Sequence, residues 1–178
     1  AVGYTALASA TTGASNTAMG ANALTANTTG ASNVAIGANS LDANTTASNN
    51  VGIGLNAAGG TTTGADNVAI GTNSLLTNST GTSNVSVGTY ALNANTTASN
   101  NTAIGYAALT ANTTGTRNVA LGTSAASTLT TGTDNTFIGV GCSPNVTTGS
   151  GNVAIGDISQ VGNRIFNLTT ENDRIIMG

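Results

Sequence analysis

The side chains that could perform acid–base or nucleophilic chemistry are few and isolated in this sequence. It contains no histidine and no lysine, so a general base would have to be an aspartate or a glutamate. Asp66 and Asp134 occupy one position of the repeat described below and Asp42 occupies another, so no two of them form a carboxylate pair. Cys142 has no histidine to activate it and is better interpreted as a small buried residue. The sequence therefore predicts that the chain is not an enzyme.

Motifs for bound ions, phosphates and polyanions are also missing. A calcium-binding roll needs an aspartate that recurs in every turn, and none does here. The glycines around Gly52–Gly54 and Gly59–Gly60 are not followed by the lysine of a phosphate loop. We therefore expect no metal and no cofactor. Three arginines and a net charge of −3 predict no nucleic-acid partner, and the short apolar runs predict no membrane insertion.

The dominant feature is a 17-residue repeat with the consensus N-V-A-I-G-x-x-A-L-x-x-N-T-T-G-x-x. An aliphatic residue or methionine precedes each glycine of the repeat, an alanine usually stands two before it, and a leucine often stands four after it. The glycine column consists of Gly3, Gly20, Gly37, Gly54, Gly71, Gly88, Gly105, Gly122, Gly139 and Gly156. The asparagine column consists of Asn16, Asn33, Asn50, Asn67, Asn84, Asn101, Asn118, Asn135 and Asn152.

This pattern predicts an all-β fold, a parallel β-solenoid of about ten 17-residue turns. Val and Ile of V-A-I share one face of a short strand, glycine allows the corner, a second short strand carries the leucine, and N-T-T-G supplies turn chemistry. We expect the Val, Ile and Leu columns to form the core, as at Val34, Val68, Val119, Leu41 and Leu75, and the asparagines to form a ladder. The predicted core residues of the column before the glycine are Ile36, Ile53, Ile70, Ile104, Leu121, Ile138 and Ile155.

The alanine column needs a separate explanation, because a solvated face would tolerate large polar residues. We expect it to lie on the face opposite Val and Ile and to pack against another copy of the chain. The predicted subunit interface consists of Ala18, Ala35, Ala69, Ala103, Ala120, Phe137 and Ala154. Phe137 breaks the small-residue rule, so we expect its ring to be buried between subunits where the fibre changes cross-section.

The motif at Asn33–Gly37, Asn67–Gly71 and Asn152–Gly156 resembles the head repeat of trimeric autotransporter adhesins of the YadA type. In that family it builds a left-handed parallel β-roll with three chains side by side. Asn101–Gly115 is similar to the repeat of bacteriophage tail fibres, and Asn163–Gly178 also resembles phage fibre sequence, which often precedes a chaperone domain that is cleaved after trimerisation. These resemblances imply a side-by-side homotrimer.

The resemblances further imply a structural and adhesive segment of a viral tail fibre, which would be extracellular and would attach to a host-cell receptor or glycan. The alternative is the head of a bacterial trimeric adhesin on the cell surface. A third possibility is an ice-binding solenoid, because threonines stack in two adjacent columns that include Thr28, Thr45, Thr29 and Thr46. Adjacent threonines of an extended segment point to opposite faces, which weakens that interpretation.

Three further expectations concern particular positions. The regular repeat predicts a solenoid over residues 1–156, and its failure predicts a terminal turn or transition segment over residues 157–178. Arg117 and Asp134 lie one repeat apart, so one turn per repeat would place them side by side as a surface ion pair. The Asn-x-Ser/Thr sequons are better interpreted as repeated turn chemistry than as glycosylation sites. They include those that begin at Asn27, Asn44, Asn78, Asn95, Asn112 and Asn167.

Overall fold

The computed structural model describes residues 1–142, 145–156, 170 and 172–177, and within them the chain forms one parallel β-sheet. Ten strands of three residues follow one another across this sheet in sequence order. They are β1 (Thr17–Met19), β2 (Val34–Ile36), β3 (Val51–Ile53), β4 (Val68–Ile70), β5 (Val85–Val87), β6 (Thr102–Ile104), β7 (Val119–Leu121), β8 (Thr136–Ile138), β9 (Val153–Ile155) and β10 (Ile175–Met177).

The register of the sheet makes each repeat one physical turn. Thr17 pairs with Val34, and Val119 pairs with Thr136, in each case the same position of the following repeat. The predicted β-solenoid is therefore confirmed, and strands β1 to β9 bound eight complete turns. A bridge between Val2 and Met19 begins the sheet one turn earlier.

The sheet continues past the end of the regular repeat. Strand β10 pairs with β9 in parallel, with Ile175 opposite Val153, so this last turn is longer than the regular one. The backbone N–H of Arg174 donates to Asn152 Oδ1 at 3.1 Å, so Arg174 takes the place of the next asparagine. Most of the predicted transition segment, residues 157–169, lies outside the described residues.

The corner after each strand explains the invariant glycine. These glycines have φ between 119° and 138°, a region that L side chains rarely adopt. A Cβ added at Gly54 would also lie 2.7 Å from the carbonyl carbon of Gly71 in the next turn. Both the backbone conformation and the close stacking of turns therefore require glycine at this corner.

The segment that carries the leucines is not a second strand, so that prediction is wrong. It is a series of tight turns in which leucine itself is left-handed, with φ of 52° at Leu24 and 51° at Leu41. Hydrogen bonds alternate between the same turn and the next one: Ala23 N–H donates to Gly20 O and Leu24 N–H to Ser40 O. The leucine column is nevertheless buried, as predicted at Leu41 and Leu75.

The strands face the opposite way from the prediction. Their middle residue is buried, and the residues on either side are half-buried or exposed. The predicted core column is wrong because its side chains point outward from the solenoid: Ile36, Ile53, Ile70, Ile104, Leu121, Ile138 and Ile155. The Val column, at Val34, Val68 and Val119 for example, shares that outer face.

The predicted subunit interface is wrong for the same reason, because that column fills the interior of its own chain. Its members are at most 3% exposed: Ala18, Ala35, Ala69, Ala103, Ala120, Phe137 and Ala154. The physical cause is the narrow interior. At Gly52, in the same column, an added Cβ would lie 3.1 Å from Leu41 Cγ and 2.5 Å from Ser40 Oγ. Even a methyl group is crowded at Gly52. Alanine is accommodated in other regular turns, as at Ala35 and Ala69, but isoleucine would need more space than either.

Phe137 fits into the alanine column through a local exchange of volumes: a large ring stands where alanine is usual, and the residue that it faces is smaller than usual. By the repeat, residue 52 faces residue 41, so Phe137 faces Ala126, which stands where most turns have leucine. Leu129 and Val146 replace the buried asparagines of the N-T-T-G segment in the adjacent turns, and Cys142 is also buried. Together these residues form an apolar plug inside the solenoid near its C-terminal end.

Candidate functional site

Two asparagine ladders hold the interior of the rod together. In the predicted ladder, the backbone N–H of Asn50 donates to Asn33 Oδ1 at 2.9 Å, while Asn50 Nδ2 donates to Gly64 O at 2.8 Å. The same pattern repeats at the buried asparagines from Asn33 to Asn152. Each buried amide therefore has a partner one turn away, which offsets the cost of burying it.

The asparagines of the N-T-T-G segments form the second interior ladder. Asn44 Nδ2 donates to Asn27 Oδ1 at 2.9 Å and to Ala47 O at 3.1 Å. The ladder is interrupted where Thr61 and Leu129 take the asparagine position, and the buried oxygens Asn44 Oδ1 and Asn112 Oδ1 have no hydrogen-bond partner. Because this column is buried, its sequons cannot be glycosylated in the folded chain; they begin at Asn27, Asn44, Asn78, Asn95 and Asn112. Asn167 lies outside the described residues.

The outer faces of the strands form a largely apolar stripe, in which threonine is the first residue of β1, β6 and β8. We use "the stripe" for the first and third residues of strands β1 to β9, none of which is charged. Ile70, Ile104 and Ile155 are 36%, 42% and 41% exposed. Nine rungs make the stripe roughly 40 Å long and about 7 Å wide. A patch of this order, about 280 Å², approaches the size of the largest apolar patch on a typical monomer, which is often functional.

A rank of threonines runs along another part of the surface. It contains Thr12, Thr29, Thr46, Thr63, Thr80, Thr97, Thr114, Thr131 and Thr148, all of them exposed. The neighbouring column behaves differently, because Thr28 Oγ1 donates to Thr45 O at 3.0 Å and the pattern recurs in later turns. This second column is therefore half-buried with its hydroxyls bonded to the next turn, and only the first column forms an exposed rank.

A further asparagine ladder lies on the surface and was missed by the sequence reasoning. Asn22 Nδ2 donates to Asn39 Oδ1 at 2.9 Å, Asn39 to Asn56 at 3.1 Å and Asn56 to Asn73 at 2.9 Å. All four have positive φ, between 53° and 59°. Their regular spacing was visible in the sequence, and asparagine tolerates this conformation better than most residues. Tyr90 follows Asn73 in the same column.

Titratable groups are sparse on this surface. Arg117 Nε lies 2.6 Å from Asp134 Oδ1 and Arg117 Nη2 lies 2.8 Å from Asp134 Oδ2, so the predicted ion pair is confirmed. The hydrogen bond from Arg117 lowers the pKa of Asp134. Burial raises the pKa of the half-buried Asp42. Among the described residues, no three of His, Cys, Asp and Glu are grouped as a metal site would require.

The part of the chain that the structure describes has no helix long and apolar enough to cross a membrane. Comparison with protein-family models, with curated proteins and with solved structures finds no match to this chain. The candidate functional surfaces are therefore the stripe, the threonine rank and the end of the surface asparagine ladder. None of these brings together the groups of an acid–base or nucleophilic site.

Proposed function

We propose that this chain is a structural and adhesive segment of a phage tail fibre, a rigid extracellular rod that helps to attach the virion to a host surface. In this proposal three copies lie side by side in parallel, forming a homotrimer. The stripe carries the proposal. A largely apolar, uncharged surface about 40 Å long is unfavourable in water where it is exposed, and burial against another copy would reduce that cost.

The periodicity of the stripe favours a second copy of the chain as its partner. Its rungs recur at the strand spacing of about 4.8 Å. A surface that covers it along its whole length needs the same repeat, and a parallel copy in register has that repeat by construction. The Val/Ile face replaces the alanine column as the proposed subunit contact, because the alanines are enclosed in their own chain.

Sedimentation of the chain with its natural flanking sequences tests this proposal. The double variant Ile70→Asp, Ile104→Asp places two charges on the stripe and should convert trimer to monomer without loss of the β-sheet circular dichroism signal. The matched control is Ser83→Asp, Asn100→Asp, two exposed positions of a column that already contains Asp66 and Asp134. A parent chain that is monomeric, or a trimer that tolerates both stripe charges, would contradict the proposed contact.

Two other functions have specific support. The head of a bacterial trimeric adhesin would use the same stripe. A downstream chaperone domain in the gene would favour the fibre, and heptads with a membrane anchor would favour the adhesin.

Ice binding is favoured by the exposed threonine rank. That rank is a single column, however, whereas an ice surface repeats in two dimensions. Thermal hysteresis measured on the purified chain, with Thr80→Lys and Thr97→Lys as blocking variants, tests this third function.

A further inference from the structure

Two tyrosines on neighbouring turns form an open aromatic corner on the rod. Tyr90 and Tyr106 are 41% and 55% exposed. Their ring centroids lie 6.1 Å apart and their planes meet at 88°. The two rings are therefore nearly perpendicular, and much of the surface of each ring is exposed to solvent. We call this pair the tyrosine ledge.

Unused hydrogen-bonding groups lie next to the ledge. The surface ladder passes donors from each asparagine to the next, and it ends at Asn73, because Tyr90 has no amide oxygen to accept the next bond. The Asn73 side-chain N–H groups accordingly have no acceptor within the described part of the chain, and the same is true of the hydroxyl donors of Thr72 and Thr89. All three residues are half-buried and therefore partly fixed in position.

Tyr90 is an unfavourable residue at its position if only the fold is considered. The preceding four turns have asparagine there, with a ladder bond and a left-handed backbone that asparagine tolerates. Tyr90 adopts the same left-handed backbone, with φ of 61°, and breaks the ladder. Neither a ladder bond nor a backbone preference therefore accounts for tyrosine at this position, and its exposed side chain is left to be explained.

We propose that the tyrosine ledge binds an uncharged sugar ring. The C–H face of a pyranose stacks on the face of an aromatic ring, whose π-system is electron-rich. A sugar hydroxyl accepts a hydrogen bond from Asn73 Nδ2, and the hydroxyls of Thr72 and Thr89 exchange bonds with its neighbours. The ligand is neutral because the two surface columns that contain the ledge have no charged residue among the described turns. This inference rests on the proposed attachment function and deepens it by naming a ligand class.

The three tyrosines and the absence of tryptophan make the ledge directly observable. Cellobiose, lactose, maltose and diacetylchitobiose are titrated to about 50 mM while the tyrosine ring resonances are followed by NMR, since a site of this size should bind with a Kd of roughly 1–10 mM. We expect at least one sugar to shift the rings of Tyr90 and Tyr106 saturably. Tyr4, which is 81% exposed and has no aromatic partner among the described residues, serves as the internal control.

Tyr90→Asn separates binding from folding. It restores the residue that the column prefers and gives Asn73 an acceptor, so thermal stability should be unchanged or higher while sugar binding is lost. Tyr106→Ala should also abolish binding, and Asn73→Ala should weaken it about fivefold or more. Tyr4→Ala should change neither property.

No saturable shift with any of the four sugars, or equal shifts at Tyr4, would overturn the proposal. A change of sedimentation coefficient in Tyr90→Asn or Tyr106→Ala would instead place the ledge in a contact between subunits and would likewise overturn it. The same sedimentation runs on the parent chain report whether the trimer forms, so failure of the fibre proposal is distinguished from failure of the ledge.

Discussion

Replacing Phe137 by alanine should open a cavity inside the solenoid of each chain. The ring is fully buried, and the residue that it faces by the repeat, Ala126, is too small to collapse into the space. Buried Phe→Ala substitutions typically cost about 3–5 kcal/mol. In a chain of this length that loss should lower Tm by roughly 6–20 °C. Because each turn contacts only its neighbours, the damage should be concentrated around β8.

The exchange of volumes provides a rescue. In the regular turns leucine faces alanine, as Leu109 faces Ala120, so the double variant Phe137→Ala, Ala126→Leu recreates the ordinary pair. We expect it to recover most of the lost stability. Ala126→Leu alone should overfill the interior and cost about 1–3 kcal/mol. The two single losses should therefore not add, and the coupling between them should exceed about 2 kcal/mol.

Urea denaturation followed by circular dichroism at two protein concentrations measures these effects. The loss caused by Phe137→Ala should not depend on protein concentration, because the cavity lies within one chain and not between chains. Val140→Ala, an exposed residue beyond the same strand, is the control and should melt like the parent. A variant at Phe137 with parental stability, or one that Ala126→Leu fails to improve, would refute the volume exchange.

Three further predictions concern polar groups. Thr61→Asn should give the buried Asn44 Oδ1 a donor and raise the free energy of unfolding by about 1 kcal/mol, measured by urea denaturation; Thr61→Val should not. Asp42→Asn should stabilise the chain at neutral pH, because folding raises the pKa of the Asp42 carboxyl. The parent chain should therefore gain stability as pH falls through that pKa. The variant should lack this gain in thermal melts from about pH 7 to about pH 3. Asp134→Asn should remove a small stabilisation by the ion pair with Arg117. The parent has this stabilisation above the pKa of Asp134 in the unfolded chain and loses it as pH falls through the lowered pKa in the folded chain. About 1 M salt should reduce the difference between the melts of parent and variant.

The sequence was sufficient for the topology because the topology depends on spacing alone. A constant step between identical positions predicts a parallel register, and the pairing of Val34 with Val51 and the contact of Arg117 with Asp134 follow from that step. The asparagine ladder follows from the same step, because each asparagine lies next to the asparagine at the same position of the next turn. Ladders at Asn27 and Asn22 were available from the same reasoning.

Which face of each strand points inward could not be predicted from the alternation. Period two separates Val and Ile from Ala, but it does not say which set is enclosed. Hydrophobicity favours the larger residues, and that preference gave the wrong answer. The deciding quantity is the space inside so short a turn, which already contains a leucine and two asparagines, as Leu41, Asn33 and Asn44 show. The left-handed leucines were likewise invisible, because no propensity favours leucine there.

The narrow interior also connects the fold to assembly. Asparagine can be inside because every rung supplies the same hydrogen-bond partner about 4.8 Å away, so burial leaves few polar atoms unpaired. Isoleucine then has no place in the alanine column, and a turn of this size carries the other two side chains of each strand, mostly valine and isoleucine, on the outer face of the sheet. A single solenoid accordingly folds with its most apolar surface still in contact with water. In the proposed trimer, association through that surface would complete burial of the aliphatic residues. A polar substitution on the stripe should then weaken association far more than it weakens the individual turn.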